Sequence, residues 1–176
     1  MGVGAIKARI LGAKRHEVTF LNSTYFNALC LTHCMFDHAA HSLSIVFDIG
    51  VLRFLSELRE PFGCAVRRIG NTRILVLVPH ELKQVGYIRE TLGAFGSTVA
   101  IRIKTPQPTV SLRNAILADE RHYRLEALHR EITDESPTDA FSSKVVFNGR
   151  KGLWLQNQFD VLFELNDSKY ILKEHK

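Results

Sequence analysis

Residues 68 to 79 read RIGNTRILVLVP, and the fold predicted for the chain depends on the structure of these twelve residues. The dipeptide Gly70-Asn71 is typical of a tight turn, and the run from Arg73 to Val78 that follows it is almost wholly apolar. A strand with one face in water should alternate polar and apolar residues. The run therefore predicts a strand whose second face is covered, because soluble proteins rarely expose such a patch.

The segment 43 to 104 around this run shows an ordered series of periodicities. A strand with a two-residue period (LSIVFDI) precedes helical spacing at about 50 to 60, and the short stretches CAVRRIG and TRILVLVP then predict a hairpin across Gly70-Asn71. Helical spacing returns at about 80 to 93, and STVAIRIK predicts a last strand. The order β-α-β-β-α-β predicts an α+β fold of the ferredoxin-like type, with four antiparallel strands and both helices on one face.

This segment resembles an RNA-recognition motif (RRM), in particular the divergent type in poly(A)-specific ribonuclease and related coiled-coil RNA-processing proteins. The likeness rests on the short first strand, the compact first helix and the position of RRIGNTRILVLVP before the third strand. It implies an RRM-like core that acts in an RNA-processing or ribonucleoprotein complex and binds single-stranded RNA. Basic side chains would hold its phosphates, and the candidates are Arg67, Arg68, Arg73, Arg102 and Lys104.

The open face of such a sheet would carry Val46, Leu75 and Leu77 at its outward positions, with no aromatic residue for base stacking. We expect this face to be covered by protein. One candidate is an amphipathic helix predicted at 111 to 135, folded back across the sheet, and the other is a partner protein. Direct contact with RNA is the third alternative.

The flanks of the core predict two extensions. Residues 1 to 42 contain a strand, EVTFL, and a helix from Ser23 to about His41, with Ser23 or Thr24 as its N-cap. Residues 105 to 176 contain the helix at 111 to 135 and a hairpin around Asn148-Gly149, followed by another strand. We expect this C-terminal extension to pack on the core or on a partner.

Composition limits the class of protein. The 176 residues are 45% hydrophobic and carry a net charge of +5, which permits contact with phosphates without requiring it. No apolar run is long enough to span a bilayer, and three cysteines favour a reducing intracellular compartment, nucleus or cytoplasm. Neither a cofactor motif nor a catalytic constellation is recognisable.

A metal site is suggested by the spacing of Cys30, Cys34, His38 and His41 within the predicted N-terminal helix. On one helix these residues would stretch over roughly 16 Å, too far to surround one tetrahedral ion. The sequence therefore predicts a packed helix face and no structural metal.

The resulting hypothesis is a non-enzymatic RRM-like subunit that binds RNA, a protein partner or both, without a membrane partner. The alternative is a protein-protein adaptor that uses a degenerate RRM sheet without touching RNA. A small enzyme on a ferredoxin-like scaffold is a further alternative.

Overall fold

The computed structural model describes residues 2–13, 16–22, 24–48, 52–78, 90, 92–93, 99–105, 112, 114–126, 143–164 and 170–171. The helices within them are α1 Val3–Gly12, α2 Tyr25–His38, α3 Leu52–Glu57, α4 Arg59–Arg68 and α5 Gly152–Glu164. The strands are β1 Val18–Asn22, β2 Leu43–Asp48, β3 Thr72–Leu77, β4 Val99–Lys104, β5 Ala115–Ala118, β6 His122–Glu126, β7 Ser143–Phe147 and β8 Tyr170–Ile171.

All eight strands form one mixed sheet in the order β1-β7-β6-β5-β2-β3-β4-β8. The three central strands β2, β3 and β4 are parallel, with Val46 opposite Leu75 and Leu75 opposite Arg102. Every other neighbouring pair is antiparallel. We call the end of the sheet where β2, β3 and β4 begin the amino end, and the end where they finish the carboxyl end.

The predicted four-stranded antiparallel RRM core is therefore wrong. The stretch CAVRRIG, predicted to be a strand, lies mostly in α4, where the spacing of Phe62, Ala65 and Val66 buries one helical face. Gly70-Asn71 leads from this helix into β3 and does not close a hairpin. A helical connection of this kind returns the chain to the same end of the sheet, so β2 and β3 run parallel.

Apolar side chains cover both faces of the sheet, which explains the unbroken run in β3. On one face, helices α1 to α4 contribute to a core that includes Ile6, Phe36 and Phe62. On the other face, α5 contributes Leu155, Phe159 and Phe163 to a second cluster. Strands from all three segments of the sequence, 1 to 42, 43 to 104 and 105 to 176, belong to this one sheet.

The predicted helix at 111 to 135 is also wrong where the chain is described. Residues 115 to 126 form the β5–β6 hairpin, whose turn holds Asp119 and Glu120 at φ 53° and 57°. Ala118 pairs with His122, so three residues connect the two strands, and two of them have positive φ, as tight hairpin turns commonly require.

The predicted hairpin at Asn148-Gly149 is wrong as well, because β7 leads into α5 there. The helix buries Leu155, Phe159 and Phe163, which are four residues apart.

The N-terminal elements agree better with the sequence. The strand predicted from EVTFL is confirmed as β1, and the helix after it as α2, where Thr24 Oγ1 accepts the Asn27 N–H at 3.3 Å. Helix α1 was not predicted. Of the helix predicted at 80 to 93, residues 90, 92 and 93 are helical and the others lie outside the described residues. Among the described helices, none has the length and apolarity to cross a bilayer.

Candidate functional site

The order in which strands are added to the sheet changes sides at β2. The next two strands in the sequence, β3 and β4, lie on one side of β2, and β5 lies on the other side. In open α/β sheets, ligands bind outside the carboxyl ends of the strands at such a switch point. Here the position is occupied by Asp48, the last residue of β2, and Asn114, just before β5. The Asp48 N–H donates to Asn114 Oδ1 at 3.1 Å, and Asn114 Nδ2 donates to Asp48 Oδ2 at 3.4 Å.

A buried ion pair lies beside these two residues. Arg124 Nη2 and Glu126 Oε2 are 2.9 Å apart, with side chains only 3% and 1% exposed, and the Glu126 N–H donates to the Asn114 carbonyl at 3.0 Å. Burial lowers the pKa of Arg124, an effect that the Glu126 carboxylate opposes. The Nε of Arg124 has no hydrogen-bond acceptor among the described residues. A buried pair of this kind is a weak source of stability, and shifted pKa values cluster at functional sites.

Aromatic side chains contact Arg124 on the face of the sheet that α1 to α4 cover. The Arg124 guanidinium lies 4.7 Å from the centre of the Phe54 ring, and Phe54 packs edge-on against Tyr25 at 5.9 Å. The Tyr25 hydroxyl donates to Glu57 Oε1 at 2.6 Å. The carboxyl end therefore combines carboxylates that can accept a proton with amide and guanidinium groups that can donate hydrogen bonds. In the described ranges, no three His, Cys, Asp or Glu residues are grouped as metal ligands.

The structure does not bring the five predicted RNA contacts together at one surface. Arg73 pairs with Asp160 at 2.7 Å and lies 5.1 Å from the Phe159 ring, beneath α5. Arg102 donates to the Phe163 carbonyl and Lys104 to the Leu162 carbonyl, so both bind the last turn of the same helix.

The remaining two predicted contacts lie on α4. Arg68 donates to the Phe36 and Ala39 carbonyls at the end of α2, and the exposed Arg67 lies next to Cys64. Contact of these five residues with RNA stays a prediction, but the RRM sheet on which it was based is not present.

The sheet face that carries Val46, Leu75 and Leu77 is buried in the cluster formed with α5. Helix α5, residues 152 to 164, covers this face. Of the segment 111 to 135, the described residues 115 to 126 form two strands of the same sheet, and Leu112, Leu117 and Tyr123 belong to the cluster. Arg73, which shares this face, reaches the helix through Asp160, and Gln156 also donates to Asp160 at 2.9 Å.

The cysteine and histidine residues of α2 face several different neighbours. Cys34 Sγ lies 3.7 Å from the Val3 carbonyl, and burial raises the pKa of this thiol to about 11. The His38 Nδ1 lies 2.8 Å from the Cys34 carbonyl. A buried neutral thiol behaves as a small apolar residue. The expectation that this segment holds no metal stays a prediction.

Sequence reasoning missed the residues at the carboxyl end. None of the predictions made from the sequence assigns a function to Asp48 or Arg124. A usable signal was present, because Asp48 directly follows the apolar residues Ile45, Val46 and Phe47, and polar residues where a buried strand gives way to a loop often carry function. Nothing in the sequence indicates that Asn114 and Glu126 lie close to Asp48, because their proximity arises from the pairing of β2 with β5 and of β5 with β6.

No family model matches the sequence. No curated protein matches it either.

Solved structures with a similar fold do exist. TrmBL2, described as an archaeal chromatin protein with a novel mode of DNA binding, matches 94% of this chain at TM-score 0.59 and 15% identity. This chain spans only 59% of the TrmBL2 chain. Nuc from Salmonella typhimurium, a phospholipase D family member, matches 90% of this chain and 100% of its own at TM-score 0.58 and 12% identity. Phosphatidylserine synthase from Haemophilus influenzae matches 89% of this chain and 39% of its own at TM-score 0.56 and 11% identity.

These matches overturn the RRM resemblance and the predictions drawn from it. The expected non-enzymatic RRM-like subunit for RNA processing is wrong, because the chain does not have that fold. The structures that share its fold include a phospholipase D family member and a phosphatidylserine synthase. At these identities the likeness concerns architecture, and the chain has the mixed-sheet fold seen in phospholipase D-type proteins.

Proposed function

We propose that this chain is a phospholipase D-like domain that binds and hydrolyses a phosphodiester at the carboxyl end of its sheet. The observation that carries the proposal is the polar cluster at the switch point, where Asp48 and Asn114 are hydrogen bonded beside the Arg124–Glu126 pair. The sheet topology favours this position for a ligand.

The ligand class is suggested by what the fold neighbours have in common. Their descriptions mention DNA, phospholipase D and phosphatidylserine, and DNA and phospholipids share a phosphodiester group. A phosphodiester needs hydrogen-bond donors for its anionic oxygens. The donor proposed for this role is the Nε of Arg124, which is buried and has no acceptor among the described residues, so the ligand has to enter the cluster to reach it.

The half-buried carboxylate of Asp48 would act as the general base in this proposal. It would take a proton from a water molecule, whose oxygen then attacks phosphorus. The bond from phosphorus to the leaving oxygen breaks, and that oxygen takes a proton from solvent. The Asn114 amide would orient the carboxylate, since its Nδ2 already donates to Asp48 Oδ2.

Hydrolysis of bis(4-nitrophenyl) phosphate tests this assignment. Removing a general base typically costs about 100- to 10,000-fold in rate, so Asp48→Asn should reduce turnover by that factor. Glu120→Gln at the amino end is the matched control, because it removes one carboxylate far from the switch point. It should leave the rate unchanged, and both variants should melt like the wild type.

Equal rates in the wild type and Asp48→Asn would remove Asp48 from the reaction. A wild-type chain that hydrolyses neither this ester nor a DNA oligonucleotide would overturn the proposal.

A further inference from the structure

Two connections pack tightly against each other at the amino end of the sheet, on the side opposite Asp48. The Gly149 N–H donates to the Arg121 carbonyl at 2.7 Å. Gly152 lies so close to the β5–β6 turn that a Cβ atom there would be 2.2 Å from the Glu120 carbonyl oxygen. This contact places the first turn of α5 beside the residues of the turn.

The surface created there combines positive charge with exposed apolar side chains. Arg121, Arg150 and Lys151 are all exposed, and none forms an ion pair with a described carboxylate. Trp154 and Leu153 in the first turn of α5 are 57% and 52% exposed. We call these five residues the amino-end surface.

Three carboxylates lie near the amino-end surface, and none of them forms an ion pair with its cations. The Asp119 carboxylate accepts the N–H groups of Ala40, His41 and Ser42. Glu120 precedes Arg121 in the turn, and Glu17 accepts the backbone N–H of Arg150 at 3.4 Å. Arg121, Arg150 and Lys151 therefore keep side chains that no described carboxylate pairs, and Arg150 and Lys151 precede the indole of Trp154 by four and three residues in the sequence. Surface cations beside an exposed aromatic ring are the combination that binds single-stranded nucleic acid.

We propose that the amino-end surface binds single-stranded DNA, with a base stacked on Trp154 and phosphates held by Arg121, Arg150 and Lys151. Leu153 extends the apolar platform on which a neighbouring base can rest. The inference does not depend on the chemistry proposed for Asp48, because the two groups of residues lie at opposite ends of the sheet.

The single tryptophan of the chain makes this proposal directly measurable. Titration with oligo(dT) should quench the fluorescence of Trp154, since a stacked base quenches indole emission. Stacking is worth about 1–3 kcal/mol per base, so Trp154→Leu should weaken binding of a labelled oligonucleotide by about 5- to 150-fold. Replacing all three cations with glutamine should weaken binding and lower its salt dependence, by about 0.7 in log–log slope for each lost phosphate contact.

Val161→Ala is the matched control, because Val161 is 60% exposed on the same helix but lies two turns further along. Its affinity should equal that of the wild type. All of these variants should hydrolyse bis(4-nitrophenyl) phosphate at the wild-type rate. A failure of DNA binding at the amino-end surface can therefore be told apart from a failure of hydrolysis at Asp48.

Three results would overturn the inference. One is the absence of quenching and of oligonucleotide binding. Another is wild-type affinity in the Trp154→Leu or the triple-glutamine variant, which would move the contact elsewhere. The third is a blue shift of Trp154 with phosphatidylglycerol vesicles and no response to oligo(dT), which would identify a lipid surface as the partner.

Discussion

The carboxylate of Asp119 accepts the N–H of His41 at 2.7 Å, and it also accepts the N–H groups of Ala40 at 2.7 Å and Ser42 at 2.9 Å. One side chain in the β5–β6 turn thus satisfies three consecutive amides of the α2–β2 connection. Because the turn also contacts the start of α5, Asp119 links the two helical layers at the amino end of the sheet.

Removing this carboxylate should be costly, because three amides would lose a charged acceptor. Hydrogen bonds to charged groups contribute about 1.5–3 kcal/mol each but are not additive here, so we expect Asp119→Ala to lower the free energy of unfolding by about 2–4 kcal/mol. Urea denaturation of the wild type and of Asp119→Ala would measure this difference in the free energy of unfolding. Glu120→Gln, at the next position, should change stability by less than about 0.5 kcal/mol, and an equal loss in both variants would contradict the role of Asp119.

Acid should destabilise the fold through His122. Its Nδ1 accepts the Asn148 N–H at 3.2 Å, and burial lowers its pKa from the ordinary 6.5. Asp119 opposes this shift, whereas His38 and Arg121 add to it. The folded state therefore binds fewer protons than the unfolded state, and stability falls as the pH drops from about 6.5 through the lowered pKa.

The variant His122→Phe should flatten this dependence in thermal melts recorded between pH 7.5 and 5. His41→Phe is a suitable control because His41 is exposed. An unchanged slope in His122→Phe would assign the acid sensitivity to other groups.

The packing of α5 should contribute strongly to stability through Phe159. This ring is fully buried and stacks on Phe163 with 5.4 Å between centroids. Phe159→Ala should cost about 3–5 kcal/mol, whereas Val161→Ala on the exposed side should cost less than about 0.5 kcal/mol. Calorimetric melts of the two variants would compare them, and similar melting temperatures would contradict the burial of this helix face.

Close packing between the β5–β6 turn and α5 should make Gly152 intolerant of any side chain. A Cβ atom would overlap the Glu120 backbone, and relief would require a backbone shift that costs about 1–3 kcal/mol. Gly152→Ala should therefore melt well below the wild type. Gly70→Ala has open space around its Cβ and should melt within a few degrees of it; a reversed order would show that the turn and helix are not in contact.

The elements whose stabilising contacts are local could be predicted from the sequence. The strand β1 and the helix α2 with its Thr24 cap are recognisable because period and capping depend on residues within a few positions. The apolar run in β3 also predicted that a second layer would cover the sheet, since its composition already excludes an exposed face.

Strand pairing, and the identity of the helix that covers each face of the sheet, could not be predicted from the sequence, because both depend on long-range contacts. Residues 115 to 126 carry apolar side chains at spacings that suit a helix or a hairpin, and the hairpin forms because β2 and β7 pair with it on both sides. Residues 152 to 164 show the four-residue spacing of a helix at Leu155, Phe159 and Phe163, but the Asn148-Gly149 pair before them favoured a hairpin, and the sequence therefore predicted strands there. The Asp48, Asn114 and Glu126 cluster likewise depends on register between strands far apart in sequence. Such pairings gain free energy only when the whole sheet assembles, so no short stretch of the sequence contains them.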